Sequence, residues 1–230
     1  MKIAVLNFSG NVGKSTISRH LLSPRLNNAR VISVESINDT GDEDGSIRGK
    51  QYGELTEALA VLDDVVVDIG SSNVEEFMHR MNQFRGSHED FDYFVVPTIS
   101  KIKVQRDTIG TIEALADAGI PANKIRLVFN MVEHDEDPDM AFAGLHDYHE
   151  QRRMFELRPT AVIRTSELYA RVRQVERSIA DILCDETDYK ALLKSAKPDE
   201  RLQLGRSLST LRLAAGVKAE LDAVFDSLLS

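Results

Sequence analysis

Apolar runs of strand length alternate along this chain with segments whose apolar positions recur every three to four residues. That is the pattern of an α/β fold, a mostly parallel sheet sandwiched by helices. The strand-length runs are Lys2 to Asn7, Arg30 to Glu35, Val65 to Asp68, Tyr93 to Pro97 and Ile125 to Asn130. They are rich in Val and Ile and do not alternate apolar with polar, as expected where both faces are covered. Helical spacing predicts helices near residues 14–22, 51–62, 74–84, 101–118 and 165–183. In the last, Leu168, Val172, Val175, Ile179 and Ile182 share a face, with Thr165 or Ser166 placed to cap it. Beyond Asp185 the pattern is helical, broken by Pro198 into a short and a long piece. Residues 38–50 hold three glycines and four acids and are expected to form a loop, as is the acidic stretch Glu133 to Asp139. The expected organisation is one domain over residues 1–184 with a helical extension, residues 185–230, packed on it.

Composition narrows the function classes. With 230 residues and 42% hydrophobic content the chain can bury one ordinary core. Cys184 is the single cysteine, which excludes a disulfide framework or a CxxC metal site and points to a reducing compartment, the cytoplasm. A formal charge of −9 excludes a wholly basic nucleic-acid coat. The first residues run into a strand without the pattern of a signal peptide, and no stretch approaches the roughly 20 apolar residues of a membrane span.

The strongest chemical signal is Ser9-Gly10-Asn11-Val12-Gly13-Lys14-Ser15-Thr16, set between the first strand and the first helix. A glycine-containing turn that opens a helix aims several backbone N–H groups and the positive helix end at one point, where an anion is held. Gly10 and Gly13 permit close backbone approach, Lys14 offers a point charge to β and γ phosphate oxygens, and Ser15 offers a hydroxyl to Mg²⁺. The general eight-residue phosphate-loop pattern has a glycine where Phe8 stands. Asp68 closes the run VVVD and is the carboxylate expected to hold Mg²⁺ directly or through water; Ile69-Gly70-Ser71-Ser72 follows it, with Gly70 placed to sense a γ-phosphate. Asn130, at the carboxyl end of a strand, is either a reader of a base edge or a turn residue. Glu35 either orders water near the crevice or begins the acidic loop.

These residues resemble the MinD/ParA family of deviant Walker A P-loop ATPases over about Met1 to Leu183, and within it small ParA-like plasmid stability proteins of the StbB type. In that family the loop reads Lys-Gly-Gly-x-Gly-Lys-[Ser/Thr]-[Ser/Thr], and the first lysine reaches across a nucleotide-sandwiched dimer to the partner's phosphates. Here Ser9 holds that place, so the resemblance keeps the phosphate half and loses the signature lysine. It implies catalytic roles for Lys14, Glu35 and Asp68. It also implies nucleotide contacts by Gly10, Asn11, Val12, Gly13, Lys14, Ser15, Thr16, Asn130 and Pro159, and Mg²⁺ on Ser15 and Asp68. Asn130 would read the adenine edge, and Arg158-Pro159, taken to follow a short strand, would form the turn beside the base. The implied cofactors are ATP and Mg²⁺. The implied partners are ATP and ADP, a second copy of the chain in a nucleotide-dependent homodimer, and a DNA-binding adaptor protein or nonspecific DNA, in the cytoplasm or on the nucleoid. Without the lysine, hydrolysis is expected to be slow unless a partner or another cation, with Lys50, Lys101 and Lys103 as candidates, completes the site.

Residues 152–177 hold seven arginines and three glutamates, a local excess of +4 in an acidic chain. Arg152, Arg153, Arg164, Arg171 and Arg173 are the candidates for DNA phosphate contacts; the alternative is a solvated helix face laced with Glu167 and Glu176. The last helix carries Glu220, Asp222 and Asp226 beside its apolar positions, which argues against insertion into an anionic membrane. His134, His146 and His149 are read as surface histidines rather than metal ligands. Two further function classes stay open: a degenerate ATPase acting as a scaffold, and an ATP-dependent ligase of the dethiobiotin synthetase type.

Overall fold

The computed structural model describes residues 1–34, 49–175 and 177–230. Among the described residues six parallel strands form one sheet: β1 (Lys2–Val5), β2 (Arg30–Ser33), β3 (Val65–Asp68), β4 (Tyr93–Thr98), β5 (Ile125–Val132) and β6 (Val162–Arg164), in the order β2-β3-β1-β4-β5-β6. Parallel neighbours need crossovers. Here these are α1 (Lys14–Thr16) with its π-helical continuation Ile17–Leu22, α2 (Gly49–Val61), α3 (Val74–Gln83), α4 (Ile102–Asp117), α5 (Pro138–Ala141) and α6 (Ala143–Arg152). After β6 come α7 (Glu167–Gln174), α8 (Ile179–Leu183), α9 (Tyr189–Ser195) and α10 (Pro198–Leu229). Five of the strands follow the predicted runs; β6, three residues long, has too short a pattern to stand out.

The central strands β1, β3, β4 and β5 are almost wholly buried, which is why their sequences read as unbroken apolar runs. Tyr52, Phe77, Phe91 and Phe94 form a chain of edge-to-face and tilted rings under α2 and α3. The sheet order also sets where a ligand fits. The chain leaves β1 toward β2 on one side and leaves β4 toward β5 on the other, so the carboxyl ends of β1 and β4 flank the switch point of the sheet.

Two compact units are present, one of Met1–Thr165 with Val224–Ser230 and the other of Ser166–Ala223. The division falls at Thr165–Ser166, whereas the sequence places it after residue 184. The single helix predicted over 165–183 is two helices. Ser166 caps α7 by accepting from Leu168 N, and Ser178 opens α8 with a capping box in which Ser178 and Asp181 exchange hydrogen bonds. A second departure is α5 and α6, in a segment whose sequence reads first as loop and then as no element. Asp137 caps α5 and Pro138 stands at its first position, while α6 buries only Leu145 and so shows no apolar stripe. Among the described residues no helix is long and apolar enough to cross a membrane.

Candidate functional site

β1 stops where Asn7 turns its side chain into the sheet. Leu6 N still donates to Val95 O at 3.1 Å. At the next step the Asn7 amide, not the backbone, reaches Pro97 O at 2.9 Å, and Phe8 N goes instead to Thr111 Oγ1 at 3.1 Å. Asn7 Nδ2 also donates to Thr108 Oγ1 at 2.9 Å, and its Oδ1 accepts Ser9 N at 2.8 Å. The chain is thereby lifted off the sheet and seated against α4, whose buried stripe contains Thr108 and Thr111.

From Ser9 onward the chain turns tightly into α1. Asn11 and Gly13 both have left-handed backbone, φ 56° and 85°, and Val12 between them is fully buried with Ile99 and Val104. Backbone of this kind turns successive N–H groups toward a common centre. Lys14, 8% exposed, folds back over the loop and donates from Nζ to Ser9 O at 2.9 Å and Asn7 O at 3.4 Å. Ser15 is exposed at the opening of α1, where the first helical N–H groups have no intrahelical acceptor. The helix predicted over 14–22 has its expected extent, but from Ile17 it is wound as a π-helix, a form found at functional sites more often than elsewhere.

Two contacts fix this loop from outside. Asn130 Nδ2, on a residue 4% exposed, donates to Val12 O at 2.8 Å. A Cβ on Gly13 would collide with that same nitrogen, so glycine is required there by contact as well as by φ. The peptide that Asn130 holds by its carbonyl is the one whose N–H belongs to Gly13. In a planar trans peptide the two point in opposite directions, so the Asn130 bond aims Gly13 N–H into the cradle. The other contact is at Ser9, 7% exposed, whose hydroxyl donates to Asp107 Oδ2 on α4 at 2.5 Å. Ser9 therefore faces inward, and position 9 presents neither charge nor reach to a second molecule.

Asp68 is 5% exposed at the end of β3, in register with Val5. The turn after it lies against the loop, since a Cβ on Gly10 would sit 3.4 Å from Ser71 Oγ. Thus residues 9–16, Asp68 and Asn130 come together at the switch point of the sheet. Glu35 lies outside the described residues, as do residues 36–48 and Glu176. Pro159 lies in a turn that precedes β6, with Ala161 N donating to Arg158 O. The residues on either side of it, Arg158 and Thr160, bond Ser230 and Ser227. At the carboxyl end of β6 stand Arg164 and Thr165 instead, tied to Glu133.

The candidate DNA contacts divide between the two units: Arg152, Arg153 and Arg164 belong to the first, Arg171 and Arg173 to the second. Arg164 donates to the carbonyls of Glu133 and Glu136, and Arg171 pairs with Glu167 at 2.8 Å. Arg152, Arg153 and Arg173 are exposed. His146 and His149 are half-buried packing groups rather than surface residues; the first stacks on Phe129 and the second meets Phe155 edge-on. Burial, with Arg153 nearby, holds the His149 pKa below the usual histidine value. Among the described residues no group of three His, Cys, Asp or Glu side chains is arranged for a metal. The signal for the α4 contacts is present in the sequence: Thr108 and Thr111 interrupt an apolar stripe at helical spacing, and buried hydroxyls need partners.

No family model and no curated protein matches the chain. Among solved structures, apo McdA from Cyanthece gives a TM-score of 0.50 at 12% identity, over 94% of this chain and 99% of that one. An ATP complex of a McdA variant from Cyanothece gives 0.48 at 10% identity, over 94% and 96%. The MinD cell division protein of Aquifex aeolicus gives 0.46 at 13%, over 95% and 97%. The likeness to apo McdA is one of fold, which in this chain is a parallel sheet flanked by helices, the α/β class that the sequence implies.

Proposed function

We propose that the chain binds ATP with Mg²⁺ on residues 9–16 and works as a ParA-like switch whose own hydrolysis is slow. The observation that supports binding is the braced loop: two left-handed residues, a buried lysine folded over them, and a peptide aimed by Asn130. The Ser15 hydroxyl and the Asp68 carboxylate are hard oxygen donors of the kind Mg²⁺ takes, and the ion, when bound, neutralises charge on the phosphate oxygens. Phosphoryl transfer is accelerated mainly by positioning and positive charge. Ser9 supplies no charge and is committed to Asp107, which supports slow turnover in the isolated protein. Lys101 and Lys103, exposed at the start of α4, are the candidate cations to supplement it.

Nucleotide-dependent dimerisation, retention on DNA through Arg152, Arg153, Arg164, Arg171 and Arg173, and a role in plasmid partition or stability rest on the family resemblance. The deciding experiment is size-exclusion chromatography with light scattering in ATP, ADP and no nucleotide, run beside calorimetry and repeated with Lys14→Ala. A dimer formed only in ATP and lost with K14A is the expected result. Binding of ATP without any change of oligomeric state supports the scaffold reading, and absence of heat with any nucleoside triphosphate refutes both.

A further inference from the structure

At the amino-terminal end of the sheet, opposite the end from which residues 9–16 emerge, a cavity of about 550 Å³ is lined by Met1, Asp92, Tyr93, Asn123, Lys124 and Arg126. Its size is that of a small-molecule site. Arg126 is the second residue of β5 and is 5% exposed. Its guanidinium lies over the Tyr93 ring at 4.8 Å. Nε and Nη1 are buried and have no acceptor among the described residues. The neighbouring acids are engaged elsewhere. Asp92 Oδ2 accepts Lys2 N at 2.7 Å, and Glu156, whose backbone bridges to Arg126, lies 3.8 Å from Arg158. Lys124 rests its ammonium on Phe91 O at 2.6 Å, so a second positive charge borders the cavity.

Guanidinium nitrogens removed from water and left without an acceptor, as Nε and Nη1 are here, are unfavourable unless an anion or a hydrogen-bonding partner completes the group. Its planar fork matches two oxygens of one oxyanion, a geometry that lysine does not offer. The Tyr93 ring holds the fork flat. We propose that this cavity is a second ligand site, in which Arg126 holds the carboxylate or phosphate of a small molecule, assisted by Lys124 and opposed by Asp92. The site is independent of the nucleotide reading, since its residues lie at the other end of the strands.

The test uses the full chain carrying Lys14→Ala, which suppresses phosphate binding at residues 9–16. The ¹⁵N-labelled protein is titrated at fixed ionic strength with inorganic phosphate, and separately with acetate, while the side-chain Nε–H signal of Arg126 and the backbone amide signals of Tyr93 and Lys124 are followed, the amides serving as the readout in every variant. A saturable shift with one of the two identifies the oxyanion class. Arg126→Lys is expected to weaken that binding about tenfold or more, and Asp92→Asn to tighten it. A titration that is linear, or saturation with unchanged affinity in R126K, overturns the proposal. If R126K fails to fold, Lys124→Met replaces it: weakening of severalfold supports the site and unchanged affinity overturns it.

Discussion

Replacing Asn130 by alanine separates two roles that one amide can serve, reading a base or bracing the loop. The side chain is 4% exposed, and its Nδ2 is 2.8 Å from the carbonyl of Val12, a residue with no exposure at all. Alanine leaves that carbonyl without a donor in a place water does not reach, at a cost of about 1–3 kcal/mol. For a chain of this size each kcal/mol lowers Tm by roughly 2–4 °C. The Val12–Gly13 peptide is then free to rotate, and Gly13 N–H loses its aim. A hydrogen bond to a charged oxygen is worth about 1.5–3 kcal/mol, so the expected loss of affinity is about ten- to a hundredfold. Calorimetry with Mg²⁺ and either ATP or inorganic triphosphate reads the distinction. If Asn130 braces the loop, both ligands lose affinity by the same factor; if ATP weakens while triphosphate is unaffected, Asn130 reads the base and the bracing argument is wrong.

Other substitutions test the remaining contacts. Ser9→Lys is expected to turn its ammonium toward Asp107 and leave phosphate release at the wild-type rate; a rise in turnover with S9K alone would show that position 9 faces outward. Gly13→Ala meets both a left-handed φ of 85° and the Asn130 amide, so it should abolish nucleotide heat. Adding Asn130→Gly removes the collision but not the backbone strain, and urea midpoints should show a favourable coupling between the two changes. His20, on the π-helical turn, has its pKa held below 6.5 by burial and then by Arg19. Because the folded value is the depressed one, its contribution to stability is present above pH about 6.5 and lost as pH falls below it. Urea midpoints between pH 5 and 7.5 should therefore decline on the acid side, less steeply in H20Q.

The parts of this fold that are legible in the sequence are those whose cause is local. An apolar run such as VVVD ending in an acid gives β3 and places Asp68, and Gly-Lys-Ser-Thr after a strand gives the opening of α1. What escapes depends on partners far along the chain. Ser9 can be read as a missing lysine, yet its orientation is set by Asp107, 98 residues away. Asn130 is legible as an amide at a strand end, but its partner Val12 is 118 residues away. The arginines at 152–177 form one cluster in the sequence and two sets in the fold, because Thr165 is where one compact unit gives way to the next. β6 is missed because its three residues give no periodicity to read.

The loop is held from three sides that do not involve a ligand: Asn7 on β4, Ser9 on α4 and Asn130 on β5. On the proposed reading, a loop braced in this way would meet phosphate with its N–H groups already aimed, so little ordering cost would be set against binding. The same bracing has an opposite consequence for catalysis. Ser9 can bond Asp107 only by pointing into the domain, and a side chain there cannot serve an adjacent molecule. On that reading, phosphate affinity and charge supplied from a second copy would be separable functions of one loop, with the tie to Asp107 favouring the first at the expense of the second. Turnover in this protein should then depend on cations that come from elsewhere, and Lys101→Ala with Lys103→Ala should lower phosphate release while leaving the affinity for ATP unchanged. If that double variant hydrolyses ATP at the parent rate, the charge is not supplied from the start of α4.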